Sequence, residues 1–144
     1  MENFSEKDEL DKLRENSQLK IYENELKEDT RIDIHNIGDK SKMISQIRSK
    51  WLIYWKNEKE NIRKIKMKKD AILQSLNKNN KSSILSLKSE DVISHNDIRI
   101  KKLNILNENS KFNIEFIERA LNIFQDMNYQ IGNSIKIYEI MGKI

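Results

Sequence analysis

The fold turns on residues 41–76, SKMISQIRSKWLIYWKNEKENIRKIKMKKDAILQSL. Apolar residues recur through it in steps of three and four: Ile44, Ile47, Trp51, Tyr54 or Trp55, then Ile62, Ile65, Ile72 and Leu76. That is the period of an amphipathic helix, interrupted by Glu58 and Lys69 on the stripe. Ser41 stands where an N-cap belongs, and the run Asn77-Lys78-Asn79-Asn80 closes the pattern. The spacing predicts one helix of about 36 residues, about 54 Å long.

On its N-terminal side, residues 28–37 alternate apolar and polar at Ile32 and Ile34 before shifting to Ile37, with Gly38 and Asp39 behind them. This reads as a short extended or irregular connector. Residues 1–20 read as an acidic helical or frayed extension with Leu10, Leu13 and Ile21 on one side. On the C-terminal side, 81–97 is a polar linker with a helical turn expected around Ile84 to Val92. From Asp97 onward a heptad seam runs through Leu103, Leu106, Ile117, Ala120, Phe124, Met127, Ile131, Tyr138 and Met141. Ser110, Asn113 and Ser134 are its polar members, and Ile114, Leu121 and Ile135 widen it. A face that wide suits a bundle built between subunits, with Ile117, Leu121, Phe124, Met127, Tyr129, Ile131, Ile135 and Tyr138 as its members. Packing on the first long helix of the same chain satisfies the periodicity equally well. The organisation expected is therefore an acidic extension (1–20), a connector with a basic helix (21–80), and a linker with C-terminal helices (81–144).

Composition supports an all-α chain. Charged residues make up 35% of the 144 and apolar residues only 37%, which favours long helices burying narrow stripes over one thick core. There is no proline and only three glycines, too few for the turns of a sandwich or barrel. With no cysteine there is no disulfide, no thiolate metal site and no cysteine nucleophile. No apolar run is long enough to cross a membrane and no signal peptide is evident, so an intracellular location is expected.

Charge is unevenly placed. Residues 1–30 hold ten acids and five bases, whereas the rest holds 22 bases and 13 acids. A basic body of this kind points to a polyanionic partner or to an ordinary solubilising surface. Its densest part is the first long helix, where Arg48, Lys50, Lys56, Lys59, Arg63, Lys64, Lys66, Lys68 and Lys69 are opposed only by Glu58 and Glu60. Lys56, Lys59, Arg63 and Lys66 fall three, four and three apart and form one ridge. Such a ridge can engage phosphates without sequence preference, and a nearby aromatic can stack on an unpaired base. Trp51 lies on the apolar stripe and reads as core; Trp55 is the better stacking candidate. The acids within this helix, and its few large apolar residues after Trp55, argue against a membrane-surface or calmodulin-type role. Catalysis finds no support: His35 and His95 have no metal-ligand spacing and there is no phosphate loop, so no metal, cofactor or enzyme activity is expected.

Three segments carry a family resemblance. Glu28-Asp29-Thr30-Arg31-Ile32-Asp33 resembles the Glu/Lys-Asp-x-x-Ile-Asp segment near the start of the UvsY family, the recombination mediator proteins of T4-type phages. Ser49-Lys50-Trp51 resembles the family's Ser-Lys-aromatic step, and the lysine run through Lys68-Lys69 follows at similar spacing. Tyr129-Gln130-Ile131-Gly132-Asn133-Ser134-Ile135 is similar to its aromatic-x-Ile-x-Asn-x-Ile ending, with Gly142 as a late glycine. The resemblance spans residues 21–144. It implies a helical protein that assembles through its C-terminal helices into a ring, a hexamer or heptamer. It further implies binding of single-stranded DNA and action against a single-strand-binding protein. The outcome would be loading of a RecA-like recombinase, in the cytoplasm of an infected host cell. By the same resemblance Lys50 and Lys64 to Lys69 are DNA contacts, and Tyr129, Ile131 and Ile135 belong to the assembly region. One departure is plain: where the family's type member has Lys-Ala-Arg-Leu, this chain has Leu73-Gln74-Ser75-Leu76. The rival reading is a non-catalytic helical scaffold or coiled-coil interaction protein whose basic helix is merely solvated.

Overall fold

The computed structural model describes residues 4–31, 36–79 and 97–142. They form four helices: α1 (Phe4–Arg14), α2 (Ser17–Asp29), α3 (Ile37–Asn79) and α4 (Ile98–Ile140). Among the described residues there is no strand, so the chain is all-α there. The turn expected around Ile84 to Val92 lies outside them, as do Ile32, Ile34, His35 and His95.

The first segment is two helices rather than one extension. Asn16 takes φ 49°, a left-handed conformation that asparagine tolerates better than most residues, and this closes α1. The amides of Glu15 and Asn16 still reach the carbonyls of Lys12 and Leu13, at 3.3 and 3.2 Å. Leu10 is buried and Leu13 half-buried, but Ile21 is exposed and its neighbour Tyr22 goes inside instead. Glu28 and Asp29, read as part of the connector, are still helical. Thr30 then ends α2 by donating both its amide (2.9 Å) and its hydroxyl (2.7 Å) to the carbonyl of Leu26.

Helix α3 has 43 residues and begins at Ile37, so Ser41 is not its N-cap. Asn36 holds that position, its carbonyl accepting the first helical bond from the Lys40 amide at 2.8 Å. Helix α4 is capped by Asp97. The Asp97 carboxylate accepts from the Arg99 amide at 2.8 Å, and the Asp97 carbonyl accepts from the Lys101 amide at 3.0 Å. Its far end closes at Gly142, whose φ of 70° is the left-handed conformation glycine adopts without cost.

The described helices fall into two compact units. The first comprises α1, α3 from Glu58 onward, and α4 up to Phe112. Leu10, Ile65, Ile100 and Leu103 are buried there, together with the polar Glu58 and Ser110. Polar contacts fix α1 beside α4 in the same direction: Lys102 Nζ meets Glu9 at 2.8 Å, and Asn109 Nδ2 donates to the carbonyl of Leu13 at 2.7 Å.

The second unit comprises α2, α3 up to Asn57, and α4 from Asn113. Its core joins Tyr22, Ile37, Ile44, Ile47 and Trp51 to Ile117, Ala120, Phe124, Met127 and Ile131. Trp51 sits at its centre, fully buried, with ring centroids of Tyr54, Phe124, Tyr22 and Phe116 at 5.4, 5.7, 5.9 and 6.3 Å. Each such pair adds about 0.5–1.5 kcal/mol beyond the area it buries.

Candidate nucleic-acid interface

In the first unit the ridge residues Lys59, Arg63 and Lys66 are all exposed, as are Lys64 and Lys68. Helical spacing accounts for this. Ile65 turns inward one position from Lys64 and Lys66, so its neighbours must turn out. Of the two acids of the stretch one is buried and the other is paired at the surface. Glu58 is only 3% exposed. Glu60 is clasped by Arg63, whose Nε lies 2.9 and 3.0 Å from its two oxygens and whose Nη2 also bonds Oε1. The guanidinium holds the Glu60 carboxyl below the usual carboxylate range, and that carboxylate raises the Arg63 pKa in return. Arg63 Nη1 also reaches Met67 Sδ at 2.9 Å, so part of its fork is already engaged. Lys69 is half-buried and donates to Asn104 Oδ1 at 2.8 Å.

In the second unit Arg48 and Lys56 are exposed. Lys50 is held from within: its Nζ lies 2.7 Å from Asp29 Oδ2 and 3.6 Å from Glu25 Oε1. The same Asp29 oxygen accepts the Trp51 indole N–H at 2.8 Å, and Glu25 accepts the Tyr54 hydroxyl at 2.9 Å. Burial first, then the bond to Glu25 and the charges of Glu25 and Asp29, pushes the Tyr54 phenol up to about 12. The segment around Asp29 and the Ser49-Lys50-Trp51 step therefore meet in one hydrogen-bonded cluster beneath the aromatic core. Trp55 is half-buried against that core, and its indole N–H donates to Glu118 Oε1 at 3.1 Å.

Of the residues expected to assemble subunits, Ile117, Phe124, Met127 and Ile131 are buried inside the second unit. Leu121, Ile135 and Tyr138 pack at its margin, half-buried, and Tyr129 is 68% exposed. A bundle between copies would have these four to draw on.

Periodicity had no means of finding Glu25, Asp29, Asn104 or Glu118. Each acts across elements, and the only sequence signal was a polar residue beside an apolar stripe. What the arrangement can do is neutralise phosphates: exposed ammonium groups with the acids inside the run, Glu58 and Glu60, hidden or paired, while Asp70 just beyond it is exposed. Among the described residues, no cluster of three or more metal-ligating side chains exists and no helix is long and apolar enough to cross a membrane. Comparison of the chain with protein-family models, with curated proteins and with solved structures finds no match.

Proposed function

We propose that this chain is a non-enzymatic recombination mediator, a homo-oligomer that binds single-stranded DNA. In this role it helps a RecA-like recombinase replace single-strand-binding protein on the strand. The observation that carries the reading is the one-sided charge of α3. Lys56, Lys59, Lys64, Lys66 and Lys68 are exposed, while Glu58 is buried and Glu60 is neutralised by Arg63. The three segments that resemble the UvsY family give this surface its assignment to DNA. Two of them also meet at Asp29, Lys50 and Trp51.

Titration of a labelled oligothymidylate against salt tests the reading. Five phosphates engaged per subunit give a log–log slope of about −3.5, because about 0.7 counterion is released per contact on a single strand. A slope near zero, or no binding at low salt, would mean that the helix is merely solvated. Sedimentation of the same samples counts subunits, with a hexamer or heptamer expected. A strand-exchange assay with the cognate recombinase and single-strand-binding protein then reads loading itself. Failure to shorten the lag before exchange would leave a DNA-binding protein that is no mediator.

A further inference from the structure

Arg48 does not belong to the cationic ridge; it opens onto a cleft of ≈ 330 Å³ in the second unit. On α3 the cleft is lined by Ser45, Arg48, Ser49 and Leu52, which share one helix face at steps of three and four. On α4 it is lined by Gln125 and Asn128, again three apart. The cleft exists because two serines flank Arg48 where longer side chains would fill the space between the helices. Beneath them the core of the unit forms its floor.

The chemistry of this lining is specific. Among the described residues, none of the side chains of Ser45, Arg48, Ser49, Gln125 and Asn128 has a hydrogen-bond or ion-pair partner. An arginine fork matches a phosphate. Two carboxamides present donors and acceptors side by side, the complement of the edge of an unpaired base. Leu52, 41% exposed, offers an apolar contact for the base's face. A volume of this size falls at the lower end of small-ligand sites and leaves room for one flat heterocycle.

We propose that this cleft is a nucleobase subsite: Arg48 holds a backbone phosphate while the attached base lies between Leu52 and the amides of Gln125 and Asn128. The inference rests on the single-strand reading above and deepens it, giving the strand a contact that phosphates alone do not supply.

The experiment compares two labelled strands of equal length, oligothymidylate and a fully abasic strand, by fluorescence anisotropy with the full chain. The expected result is about tenfold tighter binding of oligothymidylate, the scale of one seated base. The double variant Gln125→Ala with Asn128→Ala should bring oligothymidylate down to the abasic affinity and leave abasic binding as it was. Ser45→Trp, which plugs the cleft without removing its amides, should do the same, with circular dichroism confirming that both variants remain helical. Equal binding of the two strands by the unaltered chain overturns the subsite but not strand binding. Discrimination that survives both variants also overturns it. Absence of salt-dependent binding to either strand overturns the single-strand reading and the subsite with it.

Discussion

Trp51 and Lys64 lie on the same helix and have opposite fates, and the two units differ in the same way. The unit around Trp51 has a continuous aromatic core, and the charges beside it are drawn into that core's support: Lys50 to Asp29, Tyr54 to Glu25, Trp55 to Glu118. The unit around Lys64 buries aliphatic side chains and no aromatic ring among the described residues, and most of its lysines on α3 stay in water. A basic run is therefore not a site in itself. Where a partner acid sits beneath it the lysine becomes structural, and where the acids are hidden or paired it remains available to a polyanion.

The sharpest way to break this contrast is to empty the aromatic core. Trp51→Ala should cost about 3–5 kcal/mol, since it removes a fully buried ring with four ring neighbours. Ile65→Ala in the other unit should cost less, about 2 kcal/mol, because the side chain is smaller and Ile65 keeps 9% of its surface exposed. Urea denaturation of both variants checks the order. Equal losses would mean that the two cores carry comparable weight and that the contrast is one of composition only.

A second test removes the acid instead of the ring. Asp29→Ala leaves the buried indole N–H of Trp51 without its acceptor and leaves Lys50 only the looser contact with Glu25 at 3.6 Å, for about 1–3 kcal/mol. Asp29→Asn keeps an acceptor and should recover part of this. If Lys50 is structural, Asp29→Ala lowers stability. It also gains rather than loses affinity for single-stranded DNA, because one carboxylate beside the Lys50 ammonium is gone and only Glu25, at 3.6 Å, still offsets it. A loss of DNA affinity at unchanged stability would return Lys50 to the interface.

A smaller effect is expected at the start of α4. Asp97→Ala removes an N-cap and should cost about 0.5–2 kcal/mol. Arg99, hydrogen-bonded to the carboxylate, holds the Asp97 pKa below its ordinary value. A depressed carboxylate pKa contributes stability above the unfolded value near ~3.9, and that contribution fades as pH falls through the folded value. Asp97→Asn can still cap, so it should keep most of the stability at neutral pH while flattening the acid limb of a pH-denaturation series. An unchanged acid limb would show that the pairing contributes nothing in solution.

How far these features were legible in the sequence follows from the range of each interaction. The steps of three and four match α3 and most of the seam of α4, because helix burial is a local periodic signal; Ser110 and Asn113 are buried as their seam positions require, whereas Leu106 and Met141 on the same seam are exposed. The start of α3 was misread because Gly38 looked like a breaker. In a first turn, where amides lack helical partners anyway, glycine disturbs little, and burial of Ile37 draws the helix back to it. The pairing of Lys50 with Asp29 and of Lys69 with Asn104 is not legible in the sequence, because the partners lie 21 and 35 residues away, beyond any helical register. The same limit applies to Ile117, Phe124, Met127 and Ile131. A heptad shows that a face is buried, not whether its cover is the same chain or a second copy.

The smallest expected effect on stability is the one that bears most on function. Lys64, Lys66 and Lys68 are exposed, and none has a hydrogen-bond or ion-pair partner among the described residues. Changing all three to alanine should move the denaturation midpoint little, since each surface substitution away from caps and cores stays within about 0.5 kcal/mol. Alanine also favours the helix. Binding should respond quite differently. Removing three phosphate contacts should make the salt slope shallower by about 2, and the affinity for oligothymidylate at low salt should fall by well over tenfold. That separation, a fold untouched and a strand released, is what a solvated functional face requires. A variant that unfolded would place these lysines in the structure of the first unit. A variant that bound DNA with the original slope would shift the strand to the other exposed bases of the run, Arg48, Lys56, Lys59 and Arg63.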